Sequence, residues 1–195
     1  TTLCEFYFNK VSTTAMIKKV SFSFLILFIG VFMQANEKND AQAYFAGGCF
    51  WGVEYYFQQQ TGVISAISGY MGGNTPSPSY KEVSSGQTGH LEVVKVEYNP
   101  KQISYEALAK LFFEIHDFTQ TNGQGPDIGS QYLSAVFYSN EEEKNSTKQL
   151  IAQLEQKGYK VATRLISTHN TPFFEAEEYH QDYYFKTGKM PYCHA

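Results

Sequence analysis

Read for hydrophobic periodicity, the chain from Tyr44 onward resolves into short alternating runs and longer stretches with apolar residues every three or four positions. Tyr44-Phe45-Ala46 predicts a strand that stops at Gly47-Gly48, and Phe50 to about Gln60 predicts a helix ended by Thr61-Gly62. Val63–Gly69 reads as a second strand. Glycine and proline then make the stretch from Gly69 to Tyr80 a loop. Leu91–Tyr98 alternates as a strand and stops at Asn99-Pro100. Ser104 caps a helix from Tyr105 to about His116, with Leu108, Leu111, Phe112 and Ile115 on one stripe that packs as core. A glycine-rich loop, Asn122 to Gly129, follows. Tyr132–Tyr138 predicts a strand, Glu141–Lys157 an amphipathic helix ending at Gly158, and Lys160–Ser167 a further strand. Thr171–His180 suggests a short final helix and Asp182–Cys193 a mobile tail.

The order β-α-β-β-α-β with an added helix and strand fits an α/β (α+β) fold: a ferredoxin-like sandwich with a mixed, largely antiparallel sheet, long loops and a coil-rich C-terminal tail. One domain, residues 41–195, accounts for it. Residues 1–40 read as a leader. Met16-Ile17-Lys18-Lys19 precedes the apolar run Val20–Met33, which is short for a membrane span of about 20 residues and suits a secretory signal. Met16 is then the natural start, and cleavage after Ala35 meets a bulky Met33 at the third position before the cut. The expectation is export, periplasmic or extracytoplasmic. An uncleaved anchor through residues 20–33 and a cytoplasmic location are the alternatives.

Net charge is −4, and the lysines and the single arginine, Arg164, are scattered. Nucleic acid, which needs a clustered basic face, is excluded as a partner. Three cysteines, Cys4, Cys49 and Cys193, form neither a C-x-x-C pair nor a metal-ligand spacing. Cys4 lies upstream of Met16 and receives no role.

The stretch Gly47-Gly48-Cys49-Phe50-Trp51-Gly52-Val53-Glu54 carries the chemistry. It places a cysteine where a strand ends and a helix begins. There the unpaired N–H groups of the first turn favour an anion, and a thiol pKa falls from about 8.5 to roughly 3.5–7.5. Most cysteines pack as small buried hydrophobes. A diglycine approach is rarely needed for that, and Phe50 and Trp51 beside the sulfur form an apolar wall.

Gly47, Cys49, Phe50, Trp51, Gly52 and Glu54 resemble the motif of the A-type peptide methionine sulfoxide reductases, and the similarity continues in order from about Tyr44 to Cys193. The resemblance implies the ferredoxin-like fold and the reduction of methionine S-sulfoxide, free or in proteins, without metal or organic cofactor. It places a proton-donating acid on Glu92 in Gly89-His90-Leu91-Glu92-Val93; alone, a glutamate in a strand would be read as solvent-facing. Desolvation would keep such a carboxyl protonated at neutral pH. It gives Tyr80 and Tyr132 the task of holding the sulfoxide oxygen, Phe50 and Trp51 that of receiving the substrate methyl group, and Asp127 that of orienting the site. It makes Cys193 the resolving thiol: Cys49 becomes a sulfenic acid, condenses with Cys193, and a thioredoxin-like partner reduces the disulfide. The expected state is a monomer. The chain departs from the family pattern at Phe118, Gly123 and Leu133, where proline and arginines are usual, which bears on loop stability and fine positioning. A thiol peroxidase using the same cysteine pair and a module that binds oxidised methionine without chemistry are the competing functions.

Overall fold

A computed structural model describes residues 40–192 and 194 of the chain. The leader through residue 39, Cys4 within it, and Cys193 lie outside the described residues.

The strands and helices follow in chain order: β1 Ala41–Ala46, α1 Phe50–Gln58, β2 Val63–Met71, α2 Tyr80–Ser84, β3 Leu91–Tyr98 and α3 Tyr105–Ile115. After them come the short hairpin β4 Gly123–Gln124 and β5 Asp127–Ile128, then β6 Ala135–Tyr138, α4 Glu141–Gln156, β7 Arg164–Ser167, β8 Phe174–Glu175 and α5 Tyr183–Thr187. The main sheet runs β7-β6-β1-β3-β2-β8. Its four inner strands, β6-β1-β3-β2, have the ferredoxin-like order, with β1 and β3 central and antiparallel. Among the described residues only β6 and β7 pair in parallel, across the α4 crossover, so the sheet is mixed as expected.

Side-chain alternation decides what each sheet face carries. Along β3, Val94, Val96 and Tyr98 join Ala43 and Phe45 of β1 in the main core, against Phe57 of α1, Leu108 and Phe112 of α3 and Leu150 of α4. Phe45 stacks between Phe57 and Phe112, at centroid distances of 5.0 and 5.2 Å. Such pairs add about 0.5–1.5 kcal/mol each beyond the area they bury. The opposite face carries a smaller cluster of Ala46, Met71, Leu91, Val93, Ala135 and Phe137, with Leu133 and Phe173 packed on it. Glu92 shares the period of Val94 and Val96, so it points into the helical layer and is 2% exposed.

Several stretches depart from the sequence expectation, and the strands expected over Tyr132–Tyr138 and Lys160–Ser167 form only over Ala135–Tyr138 and Arg164–Ser167. The loop expected up to Tyr80 ends in α2, which is started by a capping box: Ser79 accepts from the Glu82 N–H while the Glu82 carboxylate takes the Ser79 N–H at 2.8 Å. The helix expected over Thr171–His180 is replaced by the edge strand β8, with a single 3-10 turn at Glu178–His180. The reason is a set of bonds to β2 that local pattern cannot register. The Ala176 N–H donates to Ser68 O at 2.9 Å, and the Gln181 amide takes the Ser68 N–H and donates to Ser68 O and Ala176 O. Beyond them, the expected tail opens with α5. The departure at Phe118 is also absorbed: its ring packs edge-on against Phe113 and Tyr159, and its carbonyl accepts the Ala162 N–H at 2.7 Å.

Candidate active site

Cys49 stands at the N-cap of α1, with no side-chain cap bond of its own. The chain reaches it through Gly48 at φ +98°, where a Cβ would fall 2.4 Å from the Gln124 side chain. Only glycine fits that turn. The residue is buried but keeps 8% of its surface exposed, so the site is not sealed.

One N–H of the first turn of α1 meets a carboxylate instead of water: Phe50 N–H donates to Glu92 Oε2 at 3.0 Å. The carboxyl brought from the start of β3 therefore lies one residue from the cysteine. Burial pushes Glu92 up to about 8, the Phe50 N–H pulling the other way and the Asp127 charge adding to the rise. At neutral pH it is mostly a neutral acid, able to give a proton.

Tyr132, from the 3-10 turn Ser130–Tyr132, completes this end of the site. Its hydroxyl is pushed above the ordinary phenol range by burial and then by the charges of Glu92, Tyr80 and Cys49. A phenol held so firmly protonated donates a hydrogen bond well. Tyr80 begins α2, and its N–H is fixed on Glu177 Oε1 at 2.8 Å. Asp127, in β5, receives the Tyr192 hydroxyl on both carboxylate oxygens at 3.2 Å.

Phe50 is 1% exposed and packs against Tyr70 and His180, so it forms the base of the wall. Trp51 is half-buried. Its indole lies flat on Tyr183, centroids 3.7 Å apart and planes 7° from parallel, and its Nε1–H donates to His180 Nδ1 at 3.1 Å. The structure thus gathers Cys49, Phe50, Trp51, Tyr80, Glu92, Asp127 and Tyr132 around the head of α1. Cys193 lies outside the described residues.

Periodicity passed over four residues that this arrangement uses. His180 touches Phe50, Trp51 and Tyr80, the last at 4.4 Å between ring centroids. Burial lowers its pKa, which keeps the ring neutral and Nδ1 able to accept. Tyr183 and Tyr192 brace Trp51 and Asp127. His194 donates from Nε2 to Gly47 O at 2.9 Å, its ring set over Gly52, where a Cβ would come within 2.1 Å of Nδ1. The signal available was Tyr179-His180-Gln181-Asp182-Tyr183, a polar and aromatic cluster in a stretch read as helix and tail. Among the described residues, no group of three or more His, Cys, Asp and Glu side chains is disposed to hold a metal ion.

A thiol at a helix head, a neutral carboxylic acid one residue away, phenols and an indole wall define a thiol-based oxidoreductase on a ferredoxin-like frame. The family model for peptide methionine sulfoxide reductase matches residues 41–195. The peptide methionine sulfoxide reductase MsrA of Sulfolobus acidocaldarius is 47% identical over 148 residues, 75% of this chain and 83% of that protein. The crystal structure of Mxr1 from Saccharomyces cerevisiae in reduced form superposes with a TM-score of 0.72 at 36% identity, covering 79% of this chain and 89% of that one. Mxr1 in complex with Trx2 matches with a TM-score of 0.53 at 25% identity, covering 80% and 88%. The chain belongs to the peptide methionine sulfoxide reductase family and is an enzyme of that class.

Proposed function

We propose that Cys49 reduces methionine S-sulfoxide, with Glu92 as the acid. The thiolate sulfur attacks the sulfoxide sulfur while the oxygen accepts a hydrogen bond from Tyr80 and Tyr132 and the proton of Glu92. The oxygen passes to Cys49, the S–O bond of the substrate breaks, and methionine leaves. Cys49 is then a sulfenic acid. Condensation with the Cys193 thiol expels water and forms a disulfide, which a thioredoxin-like dithiol reduces by exchange. The observation that carries the reading is the Phe50–Glu92 bond, which holds a proton-bearing carboxyl beside the cysteine. Trp51 and Phe50 receive the substrate methyl group, and Asp127 fixes Tyr192 across the mouth of the site.

The family supports reduction over peroxide consumption or passive binding, and the Mxr1 complex with Trx2 supports thioredoxin as electron donor. The test supplies the separated sulfoxide epimers with dithiothreitol. Turnover of the S form is expected; turnover of the R form alone, or none, overturns the reading. The apolar run Val20–Met33 supports export of the chain, and a monomer is the state we infer for it. N-terminal sequencing of fractionated mature protein, with its mass in solution, checks both.

A further inference from the structure

Glu54 is a residue the reaction above does not use, yet it is 1% exposed in the first two turns of α1. Burying a carboxyl costs several kcal/mol unless its oxygens are bonded. Oε2 accepts the Asp182 N–H at 2.9 Å, whereas Oε1 has no hydrogen-bond partner. A leucine there would avoid the cost altogether, so the carboxyl must do something an apolar side chain does not.

Helical spacing shows what that is. Trp51, Glu54 and Gln58 fall three and four residues apart and share one face of α1. That face meets the segment 180–184 at three points: Trp51 on His180 and Tyr183, Glu54 on the Asp182 N–H, and Gln58 Nε2 on Asp182 Oδ1 at 2.7 Å. Asp182 has φ +55° and ψ +30°, the left-handed conformation. Asp is among the few non-glycine residues that adopt this conformation as single residues, and contacts that hold it there fix the direction of the chain that follows. Glu54 and Gln58 hold its backbone and side chain together, and the next residue is Tyr183, laid flat on the indole.

We propose that Glu54 is a positioning residue: by taking the Asp182 N–H it enforces the left-handed step that lays Tyr183 on Trp51, and so fixes the indole wall that receives the sulfoxide's methyl group. The proposal deepens the functional reading above and rests on it. The effect assigned to Glu54 runs through Trp51.

Trp51 is the only tryptophan in the chain, so its emission reports this contact without substrate. In the full chain, E54A is expected to raise KM for methionine sulfoxide several-fold, because a less firmly placed indole wall receives the substrate less well, with kcat changed far less and the Trp51 emission shifted. E54Q keeps an acceptor for the Asp182 N–H and should restore both readouts. Wild-type KM and emission in E54A overturn the proposal, as does an equal loss in E54Q. If E54A does not fold, Q58A decides: a shifted emission with raised KM supports the proposal, and wild-type values overturn it. Absence of turnover by the unaltered chain would instead overturn the functional reading.

Discussion

The N–H of Phe50 and the carboxyl of Glu92 meet across 42 residues of sequence at 3.0 Å, inside the protein and beside Cys49. This bond joins the head of α1 to the start of β3 and fixes where acid and nucleophile face each other. Replacing Glu92 by glutamine keeps the shape and an acceptor for Phe50 but removes the proton. Loss of general acid help should lower kcat by about 10²–10⁴ with little change in KM. Steady-state kinetics with methionine sulfoxide and dithiothreitol check it.

The same carboxyl should set the pH profile. Above about pH 8 Glu92 ionises, and the rate of oxygen transfer should fall; in E92Q that limb should be absent. Single-turnover rates between pH 6 and 10 measure it.

Stability should respond in the same direction. Glu92, raised to about 8 by burial, and Glu54, raised to about 7 by burial and the neighbouring Asp182 charge, both have folded pKa values above their ordinary ones. Folding therefore takes up protons, and the stability tied to these groups is complete at low pH and lost as pH rises through 7 and 8. His116 works oppositely: burial lowers it to about 4, so its contribution is present above about pH 6.5 and lost as pH falls. Between about pH 6.5 and 8 the contribution of His116 is constant while those of the carboxyls are being lost, and the urea midpoint should decline. A tenfold difference in proton affinity between the folded and unfolded chain is worth about 1.4 kcal/mol, so E92Q should flatten much of that slope.

The two thiols should separate cleanly. Cys49→Ser should abolish turnover. Cys193→Ser should permit one turnover, leave a sulfenic acid that a dimedone probe traps, and fail to recycle with thioredoxin. Equal loss in both variants would contradict the assigned order.

Gly52 offers a test of the docked His194. An added methyl at Gly52 collides with the imidazole, so Gly52→Ala should displace His194 without straining α1. Thioredoxin-driven recycling should slow several-fold while single-turnover reduction is retained. Gly48→Ala, at φ +98° and against Gln124, should cost about 1–3 kcal/mol in a denaturant titration.

Much of this was readable from local pattern. The strand ending at Ala46, the diglycine, the cysteine and the helix after it are neighbours in sequence, and the forces that shape them act over a few residues. Period-two alternation marked β3, and Ser104 marked the start of α3, because a cap and a pleat are local devices. The family motif then added Glu92, which shares the inward period of Val94 and Val96 but which a glutamate's usual preference for water would have left exposed.

What tertiary structure decided lies where partners are remote in sequence. Residues 171–180 have no strong period of their own, and β2 drew them into an edge strand by supplying hydrogen bonds more than a hundred residues distant, such as Ser68 to Gln181. His180, Tyr183 and Glu54 acquired their tasks the same way, through contacts between α1 and a segment some 130 positions later. The sequence determined a nucleophile at a helix head and the frame that holds it. The shape of the pocket around that nucleophile depended on long-range burial, which alone could turn a glutamate into a neutral acid and hold an indole flat against a tyrosine.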